Sequence, residues 1–189
     1  MSNQLPEWGI INGERPAVGA TMNTEAHEVR HGRFALVAAV HLFLLDGERV
    51  LLSLRHNTGY ADGLWSVVAG HLDGDETVFA AMCREAREEA GIAIAPDDLA
   101  VVGLMHCRAA SATDREYCNF FLVARAWGGT LTNREPEKCA ALAWYPLDEL
   151  PEAMVPYVRR ALENYRQGRW FDSFGWEDDA SVRPASPPR

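Results

Sequence analysis

The sequence predicts an α/β protein in which two helices cover the faces of a sheet, an α/β/α sandwich. Three observations carry this. FALVAAVHLFLL (34–45) is a near-continuous apolar run containing Val and Phe, as expected of a strand buried on both faces. Several shorter strand-like runs follow it. Two segments, 77–90 and 156–167, instead place apolar residues at helical spacing.

Taken in order, the first strand covers 34–45 and sits in the middle of the sheet. It ends at Asp46-Gly47, a dipeptide that between apolar runs marks a hairpin into VLLSLR (50–55). HNTGYADG (56–63) is dense in turn formers and leads to a short strand, LWSVV (64–68). Gly70 to Asp75 is turn chemistry. The helix from about Thr77 to Ala90 stops at Gly91, a residue that accepts left-handed backbone angles. Strands are expected at about 99–107 and 116–126, with a short extended piece at WYPL (144–147). PYVRRALENYRQ (156–167) reads as an amphipathic helix with Pro156 in its first turn, where the missing N–H is not needed.

A chain of 189 residues, 48% apolar and 24% charged, is one ordinary domain with tails. Residues 1–29 form an unpatterned N-terminal extension, 30–168 the domain, and 169–189 an aromatic segment (RWFDSFGWEDD) followed by a Pro/Ser-rich tail. The aromatic segment could cap the sheet, shape a pocket or meet a second subunit. No run of 18 apolar residues and no signal-like N-terminus is present. The four cysteines have neither metal-like nor paired spacing, so a reducing cytoplasm is the expected setting. With 27 acidic against 18 basic residues the formal charge is −9. Such a field repels nucleic-acid polymers and anionic membranes, and also small phosphorylated substrates unless a bound cation reverses the local sign.

That balance sharpens a question posed by the helix at 77–90. At about 100° per residue, Glu85, Glu88 and Glu89 share an arc of about 100°, beside a core stripe of Phe79, Met82, Cys83, Ala86 and Ala90. Like charges three and four apart cost roughly 0.2–0.5 kcal/mol per pair. Arg84 and Arg87 relieve part of this, and a hard divalent cation would relieve more. Acidic residues on a helix are ordinarily a solvated face. Their spacing here is not ordinary: the chain fits G-x5-E-x7-R-E-U-x-E-E-x-G-U, with U apolar, at Gly70, Glu76, Arg84, Glu85, Ala86, Glu88, Glu89, Gly91 and Ile92.

This pattern resembles the Nudix box, the signature of the Nudix hydrolases. The resemblance implies a Nudix-type sandwich with a mixed central sheet and a catalytic loop–helix–loop. It also implies hydrolysis of a nucleoside diphosphate linked to another moiety, with Mg²⁺ as cofactor and Mn²⁺ as its substitute. Carried over by position, Glu88 and Glu89 are the main metal ligands. Glu85 is a further ligand or the base, and Arg84 orients Glu85. Glu76 braces the loop or reaches a second metal, and Gly70 and Gly91 set the turns. Diphosphate hydrolysis calls for this equipment on chemical grounds: cations to neutralise phosphate oxygens and a carboxylate to take a proton from water.

Outside the box the family commonly has Pro-Gly before its first glycine, where this chain has Val68-Ala69. The family's backbone-carbonyl ligand then falls on Ala69, which excludes positive φ more strongly than glycine does. Arg55 falls where relatives hold substrate phosphate. A late acidic ligand is expected from Glu135 or Glu137, with Glu116 a weaker candidate. EPEKCAALAWYPLDELP (135–151) is loosely similar to MutT-like enzymes that convert (deoxy)nucleoside triphosphates to monophosphate and pyrophosphate. ADP-ribose or dinucleotide hydrolysis, or a non-catalytic nucleotide sensor, are the alternatives. The family suggests a homodimer. The six histidines show no ligand spacing, and Trp65, Tyr117, Trp127, Trp144 and Tyr145 are core or base-stacking candidates.

Overall fold

Alternation of side chains along β1 (Val37–Phe43) sets the layering. Val40 and Leu42 point into one apolar core and Phe43 into a second, so both faces of the strand are covered. The computed structural model describes residues 34–110 and 114–176. The N-terminal extension 1–29, His27 and His31, and the tail from 177 lie outside the described residues. All described strands and helices belong to the unit Ala35–Arg189.

After β1 the chain forms β2 (Leu45–Asp46), β3 (Arg49–Arg55), β4 (Trp65–Ser66) and β5 (Val68–His71). Helix α1 (Val78–Ala90) follows, then β6 (Ile92–Ala93), β7 (Leu99–Cys107), β8 (Tyr117–Ala124), β9 (Gly128–Gly129) and β10 (Cys139–Pro146). Helix α2 (Pro156–Arg166) and β11 (Phe171–Phe174) complete the order. The main sheet runs β11-β7-β8-β1-β5 and is mixed: β1 is parallel to β8 and antiparallel to β5. A second sheet runs β10-β3-β2, with β4 also on β3, and β6 pairs β9.

Helix α1 covers one face through Ala81, Met82, Cys83, Ala86 and Ala90, packed with Val40, Leu42 and Leu122. Helix α2 covers the other through Val158, Ala161 and Leu162, packed with Phe43, Met105 and Phe121. This is the expected α/β/α sandwich. Phe79 departs from the expected stripe: it is 36% exposed, and Ala81 is buried in its stead.

Several strands differ from the sequence reading because neighbours decide where a strand breaks. The run 34–45 is not one strand: it leaves the main sheet at Leu44 and enters the second as β2. The hairpin therefore joins β2 to β3, with Asp46 paired to Arg49 and φ +59° at Gly47, the first loop residue. Residues 64–68 divide likewise between β4 and β5, and Gly70 and His71 are strand rather than turn. All of the piece at 144–147 but Leu147 belongs to an eight-residue strand, β10, held along β3. The sheet also continues past residue 168, where the sequence gives a domain end, because β11 pairs in parallel with β7.

That last strand is fixed by charge. Asp172 accepts hydrogen bonds from Arg160 Nε at 2.9 Å and from Nδ2 of buried Asn164 at 2.8 Å. Burial pushes the Asp172 carboxyl up, but these donors together hold it below its ordinary range. Removing it leaves a buried amide without an acceptor. Asp172→Ala is expected to lower unfolding free energy in urea by about 1–3 kcal/mol, and Asp172→Asn, which keeps an acceptor oxygen, by less.

Candidate functional site

β5 is an edge strand, and an edge strand carries unpaired backbone groups along its outer side. Ala69 and His71 face outward there, and α1 supplies their partners. Ala69 N–H donates to Glu89 Oε2 at 3.1 Å, and the His71 carbonyl accepts from Arg84 Nη2 at 3.0 Å. N–H and C=O of one strand residue point to the same side, so the Ala69 carbonyl also faces the acidic helix. Ala69 is absent from the positive-φ residues, so alanine fits where the family prefers glycine.

The helix is placed for this by its ends. Thr77 Oγ1 accepts from Ala80 N, capping the first turn. Gly91 at φ +68° ends the last turn, its N–H reaching the Ala86 and Arg87 carbonyls. Between them Arg84 gathers the carboxylates: Nη2 donates to Glu76 at 2.7 Å, Nη1 to Glu85 at 2.6 Å and to Glu88 at 3.2 Å. Glu76 also accepts from Asp73 N at 2.9 Å, so it braces the loop before the helix. Its hydrogen bonds, that from Arg84 first, hold its carboxyl below the ordinary range. Glu85 lies flat over Gly70: a Cβ there would sit 1.9 Å from Glu85 Oε1. Only glycine leaves that space.

Glu85, Glu88 and Glu89 open with Ala69 and Gly70 onto a cavity of about 360 Å³. Glu135 lines it too, whereas Glu137 is exposed and outside the lining. Backbone bonds bring Glu135 there, from Thr132 N to the Ala90 carbonyl and from Arg134 N to the Glu89 carbonyl. Glu116 is elsewhere, bonded to His106 at 2.8 Å. Arg55 lines the cavity, as does Lys138, a cation that sequence reasoning missed. Its Nζ lies 2.9 Å from Glu135 Oε1. Its place three residues past Glu135 on the same loop was the available signal.

The other candidates have structural fates. Buried His41 bonds to Asn119 at 3.0 Å, and burial lowers its pKa to about 4. Trp65 and Tyr145 pack edge to face, Trp144 joins the α1 core, and Trp127 is 39% exposed. Tyr117 stacks on His71 at 5.9 Å. No disulfide joins the four cysteines, all of them within the described residues. Among the described residues no helix is long and apolar enough to cross a membrane.

Burial pushes the Glu89 carboxyl up to about 8, and Glu85 and Glu135 add to the shift; Ala69 N–H opposes it. Burial raises Glu85 as well, against the pull of Arg84. Four carboxyl groups meet in this cavity: Arg84 bonds Glu85 and Glu88, Lys138 pairs with Glu135, and buried Glu89 keeps its proton. Hard oxygen donors of this kind suit a divalent cation such as Mg²⁺. Among the described residues no three His, Cys, Asp or Glu side chains are drawn into a ligand cluster. Arg84 holds Glu85 and Glu88, and Glu89 is turned to Ala69.

Comparison with known proteins agrees with the box. The NUDIX domain family matches residues 35–165. The chain is 30% identical over 168 residues to human 8-oxo-dGDP phosphatase NUDT18, covering 84% of this chain and 49% of that protein. It thus spans about half the length of that relative. A MutT NUDIX hydrolase of Burkholderia pseudomallei superposes with TM-score 0.62 at 28% identity, over 68% of this chain and 97% of that one. The E. coli ORF135 protein shares the fold at TM-score 0.60 and 21% identity, over 80% of this chain and 98% of its own. The chain belongs to the Nudix hydrolase family.

The Glu89 shift has a sign that can be checked. Between its ordinary 4.5 and about 8, the unfolded chain has lost a proton that the folded protein keeps. The folded state therefore loses stability as pH rises through that window, at roughly 1.4 kcal/mol per pKa unit. In chelator, Glu89→Gln is expected to be more stable than wild type at pH 8 and nearly equal at pH 4, read by urea denaturation.

Proposed function

We propose that this protein hydrolyses a nucleoside diphosphate linked to another moiety, with (deoxy)nucleoside triphosphate going to monophosphate and pyrophosphate as the leading reaction. The observation that carries the reading is the cavity where Glu85, Glu88, Glu89 and the Ala69 strand edge meet two cations, Arg55 and Lys138. The cations suit the anionic end of a nucleotide. In this reading Glu88, Glu89, the Ala69 carbonyl and Glu85 or Glu135 hold Mg²⁺, or Mn²⁺ in its place. Such a cation supplies charge neutralisation on the diphosphate and a lowered pKa for water.

The chain's own part is positional. Arg84 fixes one oxygen of Glu85, which leaves the other to take the proton of an attacking water. The water oxygen bonds to phosphorus as the P–O anhydride bond breaks, and the bridging oxygen keeps the electron pair and leaves with the monophosphate or the pyrophosphate. ADP-ribose and dinucleotides remain alternatives for the same machinery, and a nucleotide sensor is the non-catalytic one. A specific observation favours a second reading, oxidised deoxynucleoside diphosphates: the human relative is named for 8-oxo-dGDP. Thiols without disulfides suit a reducing cytoplasm.

The test is phosphate and pyrophosphate release with Mg²⁺ across nucleoside di- and triphosphates, their 8-oxo forms, ADP-ribose and dinucleotides. Turnover is expected on one class, falling about 10²–10⁴-fold in Glu85→Gln and also lost in Glu88→Gln. Bound nucleotide with no product from wild type would sink the enzyme in favour of the sensor. A separate expectation concerns Gly70→Ala. The three atoms nearest the new methyl all belong to the flexible end of Glu85, so the thermal midpoint should hold while turnover falls at least tenfold, about 1.4 kcal/mol in the barrier.

A further inference from the structure

The loop between β3 and β4 is built around one side chain. Arg55, the last residue of β3, donates from Nε to the Tyr60 carbonyl and from Nη2 to Thr58 Oγ1, both at 2.9 Å. Its guanidinium also lies 5.4 Å from the Tyr60 ring centre. Thr58 Oγ1 has a single proton. Asp62 Oδ1 stands 2.7 Å away to accept it, in competition with the Tyr60 carbonyl at 2.8 Å. A proton given to the carboxylate leaves a hydroxyl lone pair facing Arg55.

Asp62 also gathers the loop backbone. Its Oδ1 accepts from Thr58 N at 2.9 Å and its Oδ2 from Gly59 N at 3.1 Å. The conformation so held is not a relaxed one. Asn57 and Ala61 both have positive φ, 54° and 52°, which for alanine persists only when its surroundings impose it. Two of the five guanidinium N–H groups bond the loop, and Arg55 and Thr58 both line the cavity.

From this geometry we infer that Asp62 is a positioning residue: through Thr58 it aims the Arg55 guanidinium at the anionic end of the substrate. The inference rests on the hydrolase reading only in that Arg55 meets phosphate. Asp62 itself is exposed, so its loss is expected to leave the fold standing. A rotatable arginine must be ordered anew each time it binds, and the clasp removes that cost beforehand.

The test pairs steady-state kinetics on the best substrate with calorimetric binding of imidodiphosphate in Mg²⁺, which needs no turnover. Asp62→Ala and Thr58→Val are each expected to raise KM and the imidodiphosphate Kd about five- to twentyfold. kcat should move less than about twofold. Asp62→Asn, which keeps an acceptor, should recover most of the loss. Adding Asp62→Ala to Arg55→Ala should change nothing more. Full additivity in that double variant, or wild-type behaviour of Asp62→Ala, would overturn the inference. So would a neutral Arg55→Ala, or no imidodiphosphate binding by wild type. Glu88→Gln keeps the cases apart: if it abolishes turnover while Arg55→Ala is neutral, the hydrolase stands and only the clasp falls.

Discussion

The outer edge of β5 is the constraint on which the rest of the site depends. An edge strand must dispose of its outward N–H and C=O groups, and here a helix does so with side chains rather than with another strand. Glu89 takes the Ala69 N–H and Arg84 takes the His71 carbonyl. Those two bonds fix the rotation of α1 against the sheet together with its apolar stripe of Met82, Ala86 and Ala90. The carboxylates are then held at the strand edge, facing the side on which a backbone carbonyl is available. Packing and chemistry share one helix because its two stripes are adjacent.

Arg84 makes that crowding tolerable. Its guanidinium reaches Glu76, Glu85, Glu88 and a main-chain carbonyl, and it is held firmly in its charged form by the carboxylates, Glu76 foremost. Glu89 lies beyond its reach and keeps a proton well into the neutral range. One carboxylate is thus satisfied within the loop, two share Arg84, and Glu89 is buried against the Ala69 N–H. The site is less stable than an apolar or fully paired arrangement would be, which is the usual condition of a place built to bind charge.

Much of this was legible beforehand because it is local. The spacing from Gly70 to Ile92, the cap at Thr77 and the stop at Gly91 depend on residues within a few turns of one another. The strand breaks were not legible. Nothing in FALVAAVHLFLL announces that the chain changes sheets at Leu44, since the choice is made by Leu122 and Val68 on one side and Val50 on the other. Phe79 reads as core on a helical wheel, yet the wheel has no knowledge of where the sheet ends. β11 was hidden for the same reason. Its FDSF pattern is short, and only the free edge of β7 and the Asn164–Arg160 pair on α2 give it a place.

The sequence by itself determined the class of the protein, the acidic face of α1, its caps, and the excess of negative charge. Those follow from periodicity, turn chemistry and counts of charge, which need no third dimension. Tertiary structure alone set Glu135 apart from Glu137 in position. Hydrogen bonds from Thr132 and Arg134 to the last turn of α1 swing one glutamate into the cavity and leave the other in solvent. It also brought Lys138 and Arg55 to the same cavity. Arg55, Glu135 and Lys138, which lie 34, 46 and 49 positions from Glu89 along the chain, share a cavity with it only because β3, β5 and β10 fold around one helix end, and no local rule of sequence carries that distance.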